Sequence, residues 1–148
     1  MSEIYSSKIL NISKSERETE DFAFGLARSG QIKTGDIIAL YGDLGAGKTA
    51  FTRGLVRFFS PESRVASPTF SLVNQYKNIF HFDMYRINSE EDLLSIGFYD
   101  YLDNLYNKII IIEWFDIIKD FFDENTINIE IIKLNFDERK IIFERLLK

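Results

Sequence analysis

An α/β fold, with a mainly parallel central sheet, helices on both faces and antiparallel edge strands, is predicted by three observations. The segment Gly42-Asp43-Leu44-Gly45-Ala46-Gly47-Lys48-Thr49 fits the phosphate-loop pattern, a glycine, four residues, then Gly-Lys-Ser/Thr, without a mismatch. A short apolar run ending in Tyr41 precedes it, and apolar residues at helical spacing follow it. Further on, Ile109-Ile110-Ile111-Ile112 leaves no polar face, as a strand covered on both sides by helices requires. Strand, glycine-rich loop and helix in this order, with a second buried strand, specify a three-layer sandwich like that of the P-loop NTPases. At 148 residues the chain is read as one domain, 1–148, with room for one core and not two.

The elements follow in order. Ser15-Glu16-Arg17-Glu18 has the form of a capping box and opens a helix whose apolar stripe takes in Phe22, Ala23, Leu26 and Ala27, with Gly30 ending it. Thr19 falls in its first turn, which an ordinary helix-start residue also does. The run from Asp36 to Tyr41 reads as a buried strand. After the loop, Phe51, Leu55, Phe58 and Phe59 mark a helix that Ser60-Pro61 stops.

Pro68 bars a helix through Ser67. Ser67-Pro68-Thr69 is therefore either a plain turn or a switch segment that places hydroxyls near a γ-phosphate or metal. Ser71 to Tyr76 and Ile79 to Asp83, joined by Lys77-Asn78, form a hairpin in which His81 and Asp83 share a face. Asp83, an acid at the end of an apolar strand, suits a metal or a reacting water. His81 alone is read as a hydrogen-bonded structural residue. Ser89-Glu90-Glu91-Asp92 caps a short helix ending at Gly97, and Phe98 to Tyr106 is read as a second helical piece. The acids from Glu90 to Asp103 are read as a solvated surface.

Glu113 closes the isoleucine strand, where an acid in nucleotide hydrolases holds Mg²⁺ directly or through water. Trp114 beside it is suited equally to shielding a site and to the core. In the tail Ile127, Ile129 and Ile131 share one face, Asn135 to Arg139 turns, and Ile141-Ile142-Phe143 returns, which predicts an antiparallel edge.

The chemistry of the loop follows from its residue types. Its glycines allow positive φ and close approach, so that the N–H groups from Asp43 to Thr49 can face a chain of phosphates. Lys48 is a point charge for the β and γ phosphates, and the Thr49 hydroxyl is a ligand for Mg²⁺. Composition removes other chemistries. There is no cysteine and one histidine, so disulfides, thiol catalysis and multi-histidine metal sites are excluded. A net charge of −5 argues against a broad nucleic-acid surface on this chain alone. The lack of a long apolar run and of a basic leader leads to the expectation of a cytoplasmic protein without a membrane segment.

Four stretches together resemble the TsaE family, P-loop ATPases of bacterial N6-threonylcarbamoyladenosine (t6A) formation on tRNA. They are the phosphate loop with Phe51-Thr52-Arg53-Gly54, Ser67-Pro68-Thr69-Phe70-Ser71-Leu72-Val73, His81-Phe82-Asp83-Met84-Tyr85-Arg86, and Ile112-Glu113-Trp114. The resemblance implies a Mg²⁺-dependent ATPase, slow alone, that works with a TsaB–TsaD heterodimer and meets tRNA only through it. It implies that Lys48 binds phosphate, Thr49 and Glu113 hold Mg²⁺, Asp83 serves hydrolysis, Trp114 is a functional neighbour and Thr19 lies near the adenine. Asn74-Gln75-Tyr76 departs from the family, which favours an acid before the tyrosine. The alternative function is a small P-loop phosphotransferase acting on a metabolite. Against it stands the lack of an evident arginine-rich lid.

Overall fold

The computed structural model describes residues 5–43, 45–65, 72–119 and 126–147. Among them are strands β1 (Tyr5–Ser13), β2 (Ile37–Tyr41), β3 (Val73–Tyr76), β4 (Ile79–Asp83), β5 (Ile109–Glu113), β6 (Ile127–Lys133) and β7 (Arg139–Leu147). The α-helices are α1 (Glu16–Arg28), α2 (Lys48–Phe59) and α3 (Glu90–Ser95). The strands form one mixed sheet in the order β1-β7-β6-β2-β5-β4-β3. Its four central strands, β6, β2, β5 and β4, run parallel. β3 is antiparallel at one edge, and β7 and β1 are antiparallel at the other.

The isoleucine run forms β5 as its composition requires. Ile109 to Ile112 are all fully buried, and β5 sits between β2 and β4. Alternate residues feed two separate cores. Ile38, Leu40, Ile109, Ile111, Ile127 and Ile129 meet Ala23, Leu26, Phe51 and Leu55 of α1 and α2. Ile37, Ala39, Ile110, Ile112 and Phe82 meet Leu93, Phe98 and Phe115 on the other face. Two apolar faces on a strand demand two helical covers, which is why β5 lacks the polar alternation of a half-exposed strand.

α1 and α2 touch at Gly54. A Cβ there would lie 2.1 Å from the carbonyl oxygen of Glu20 and 2.8 Å from the Cβ of Ala23. Only glycine permits that approach. The cap of α1 is nearly as expected: Ser15 Oγ accepts from the Glu18 amide (3.1 Å), while the Glu18 carboxylate accepts from the Lys14 amide (2.9 Å) rather than from that of Ser15. Ser89 caps α3 by accepting from the Asp92 amide (3.2 Å).

Two expectations are corrected. The tail hairpin is not the edge of the sheet: β6 lies parallel to β2, and β1 pairs with β7 over nine residues outside it. β1 carries a weak signal because its outward side chains are apolar as well, with Leu10 and Ile12 exposed. The segment after α3 forms two short 3-10 turns, Phe98–Leu102 and Leu105–Asn107, not one helical piece. Asn104, in the left-handed region at φ 57°, separates them. Among the described residues no helix is long and apolar enough to cross a membrane.

Candidate functional site

The site is assembled at the carboxyl ends of β2, β5 and β4, where chain leaves the sheet. β2 ends at Tyr41, and α2 begins at Lys48. Gly47 caps α2 at φ 114°, a left-handed conformation that a side chain would strain. The first amides of a helix have no partner within it, so the turn offers N–H groups and the positive end of the helix dipole to an anion. Asp43 is exposed, and its carbonyl accepts from the Ala46 amide (2.9 Å), which closes the turn. Leu44 lies outside the described residues, as do Ser67, Pro68 and Thr69 with their expected switch role.

Lys48 is buried, 7% exposed, and folds back across its own loop. Its Nζ donates to the Gly42 carbonyl (2.7 Å), lies 3.6 Å from Oε1 of Glu113 and sits 4.8 Å from the centre of the Trp114 ring. Thr49, half-buried, is the second residue of α2.

Glu113 is 8% exposed at the end of β5. Its Oε2 accepts from Nε2 of His81 at 2.5 Å. Burial pushes the Glu113 carboxyl up, but the hydrogen bond and charge of His81, followed by those of Lys48, outweigh burial and hold it below its usual value. The group is a carboxylate at neutral pH. Buried His81 leaves its Nδ1 without a hydrogen-bond partner among the described residues, so its one bond goes to Glu113.

Asp83 stands directly beside Glu113 in the parallel β4–β5 register. Its Oδ1 accepts from the Tyr85 amide (3.0 Å), which fixes the carboxylate at the strand end. Trp114 takes the left-handed conformation at φ 62° and is 37% exposed, with its ring 5.6 Å from that of Tyr85. That arrangement makes Trp114 a wall over Lys48 rather than part of the core.

Two cavities border the loop. The larger, about 780 Å³, is lined by Tyr41, Gly42, Asp43, Lys48, Trp114 and Asp116 among others. Burial and the negative charges of Asp116 and Glu130 push the Tyr41 phenol up to about 12, a sign of an acidic wall. The smaller, about 390 Å³, is lined by Thr19, Gly45, Ala46, Gly47, Phe136 and Arg139 among others. Thr19, 1% exposed on α1, thus meets the phosphate loop across a cavity.

The structure therefore brings Lys48 and Glu113 together, sets Asp83 and Trp114 next to them, and puts Thr19 on a separate wall that the glycines of the loop share. Three contributors escaped the sequence reading. Arg139 donates from Nε to the Ala46 carbonyl (2.9 Å) and from Nη2 to the Gly45 carbonyl (3.4 Å), pinning the loop to the start of β7. His81 is hydrogen-bonded as expected, but its partner, Glu113, was not foreseen, and Ser13 bonds Thr19. The shared face of His81 and Asp83 was a signal for the second; no local pattern marks the other two.

Comparison with known proteins follows the same lines. The family model described as threonylcarbamoyl adenosine biosynthesis protein TsaE matches residues 13–141. The tRNA threonylcarbamoyladenosine biosynthesis protein TsaE of Rickettsia typhi is 40% identical over 130 residues, covering 84% of this chain and 87% of that protein. The protein of the same name from Bacillus subtilis is 33% identical over 115 residues, covering 75% and 70%. The crystal structure of YdiB from Bacillus subtilis superposes with a TM-score of 0.75 at 26% identity, over 95% of this chain and 87% of that one.

Proposed function

This chain belongs to the TsaE family of threonylcarbamoyl adenosine biosynthesis proteins, and from that premise we propose that it binds ATP with Mg²⁺ and hydrolyses it in support of t6A formation on tRNA. On this reading the chain is a single P-loop NTPase domain of the three-layer sandwich type, residues 1–148, in the cytoplasm. Its partner is a TsaB–TsaD heterodimer, and tRNA is held by that partner rather than by this acidic chain.

One observation carries the reading: the ammonium of Lys48 on the loop and the carboxylate of Glu113 at the end of the adjoining parallel strand lie 3.6 Å apart. A phosphate cradle and a metal-type acid thus converge. The donors also suit Mg²⁺. Thr49 offers a hydroxyl and Glu113 an ionised carboxylate, both hard oxygen ligands. Among the described residues there is no cluster of three or more His, Cys, Asp or Glu poised for a metal. Mg²⁺ needs none, because it keeps waters and substrate phosphates as its other ligands.

Bound Mg²⁺ would supply positive charge against the β and γ oxygens. The loop amides and Lys48 would hold the phosphates and stabilise the charge that develops as the bond to the γ-phosphorus breaks. Asp83 would orient a water for in-line attack and take up its proton, giving ADP and phosphate. Arg53, Arg64 and Arg86 are the candidates for a charge-stabilising arginine, and of these Arg53 points to Glu20 (3.7 Å). None is evidently placed as a finger, so a partner is expected to supply the missing group, and hydrolysis by the chain alone to be slow.

Calorimetry of ATP with and without Mg²⁺, followed by phosphate release with and without TsaB–TsaD, tests this. Tight Mg²⁺-dependent ATP uptake with release accelerated by the heterodimer is expected. No ATP uptake, or transfer of labelled phosphate to a metabolite in place of water, would overturn the reading.

A further inference from the structure

His81 occupies a place in β4 that packing alone would give to an apolar residue. Ile79, two residues before it on the same side of the strand, and Ile111, its register partner on β5, both belong to the apolar core beneath α1 and α2. The imidazole is fully buried among them, and its Nδ1 has no hydrogen-bond partner among the described residues. A buried polar nitrogen without a bond costs stability that an apolar side chain in the same place would not. What the ring provides is a single bond, from Nε2 to Oε2 of Glu113 at 2.5 Å.

That bond decides which way the Glu113 carboxylate faces. A glutamate at the end of a strand otherwise has much rotamer freedom to lose. Here one oxygen is anchored inward on a residue that solvent does not reach, and the other, Oε1, is left 3.6 Å from the Lys48 ammonium on the phosphate loop. The two oxygens therefore have different tasks. Mg²⁺ demands near-ideal octahedral geometry, so a ligand oxygen held in place before the ion arrives suits it better than one that must first be ordered.

We infer that His81 is a positioning residue for Mg²⁺, which anchors Oε2 of Glu113 so that Oε1 is presented to the metal at the phosphate loop. The inference rests on the nucleotide reading above and deepens it, since that reading gives His81 no part. Hydrogen-bond partners that orient a metal's ligands contribute about ten- to a hundredfold to metal affinity.

Calorimetry of ATP on the full chain, in Mg²⁺ and in excess chelator, tests the assignment. His81→Leu should weaken ATP about tenfold or more in Mg²⁺ and leave its affinity in chelator within about twofold. His81→Gln should recover most of the loss, because its amide nitrogen stands the same number of bonds from Cβ as Nε2 does. His81→Asn should not, because its nitrogen matches Nδ1, which does not face Glu113. In a Glu113→Gln background, His81→Leu should add little, since His81 acts only through the carboxylate. Equal losses in Mg²⁺ and in chelator, no loss in Mg²⁺, or losses that add in the double variant would overturn the inference. If His81→Leu fails to fold, the two amide variants decide, and equal Mg²⁺-dependent affinity in His81→Gln and His81→Asn overturns it. A wild-type chain that binds ATP regardless of Mg²⁺ also overturns it while leaving nucleotide binding intact, whereas one that takes up no ATP removes the nucleotide reading itself.

Discussion

Lys48 and Glu113 form a buried ion pair, Nζ to Oε1 3.6 Å, that joins the phosphate loop to the end of the next parallel strand. Both side chains are about nine-tenths shielded from solvent. Such a pair is weak evidence for stability, because desolvating two charges costs as much as their attraction returns. Its effect is to help keep the Glu113 carboxylate ionised, with His81 holding the second oxygen.

Glu113→Gln keeps the shape of the side chain and removes its charge. Mg²⁺-dependent ATP binding should weaken about tenfold or more, while ATP binding in excess chelator should change little. Calorimetry in the two conditions checks this. Equal losses in both would assign Glu113 to the cradle rather than to the metal.

Asp83 lies beside Glu113, its carboxylate fixed by the Tyr85 amide. Asp83→Ala should leave the ATP dissociation constant within about twofold and slow phosphate release by roughly a hundredfold or more, measured with TsaB–TsaD present. Full turnover in the variant would remove Asp83 from the mechanism.

Arg139 grips the carbonyls of Gly45 and Ala46, two of the three loop residues that line the cavity with Thr19. Arg139→Ala should loosen the cradle and weaken ATP about tenfold, with a drop in Tm of only a few degrees. Arg139→Lys should not restore binding, since a single ammonium cannot reproduce the forked pair of bonds. Unchanged affinity in both variants would reduce the contact to a surface tie.

Gly54, on the side of α2 that meets Glu20 and Ala23, decides how closely α1 approaches α2. Gly54→Ala would drive a methyl into the Glu20 carbonyl, where the backbone rather than a flexible side chain must move. Destabilisation of about 3 kcal/mol is expected, or roughly 10 °C in Tm for a domain of this size. Thermal melting followed by circular dichroism provides the number, and a variant as stable as wild type would show that the two helices slide apart freely.

Where the chain's signals are local, they were legible. The phosphate loop is contiguous, Ile109 to Ile112 declares its burial by lacking any polar residue, and Ser15 and Ser89 announce helix starts through their own hydroxyls. β1 was missed because an edge strand with apolar residues on both sides has no period to detect. The 3-10 turns after Gly97 contain helix-compatible residues, and only Asn104 in the left-handed region divides them. The hydrogen-bond partner of His81 was not legible because it stands on another strand.

The amino-acid sequence alone determined that this protein has an amide cradle with a lysine, two buried parallel strands and an acid at the end of one of them, since each is set by the spacing and polarity of neighbours along the chain. Tertiary structure decided which of those groups meet. The ties of Lys48 and His81 to Glu113, of Arg139 to Ala46 and of Ser13 to Thr19 depend on strand order and helix packing. Side chains carry no record of which distant residue will approach them, so a hydroxyl's partner or a carboxylate's charge becomes defined only when the sheet has brought the groups within hydrogen-bond reach.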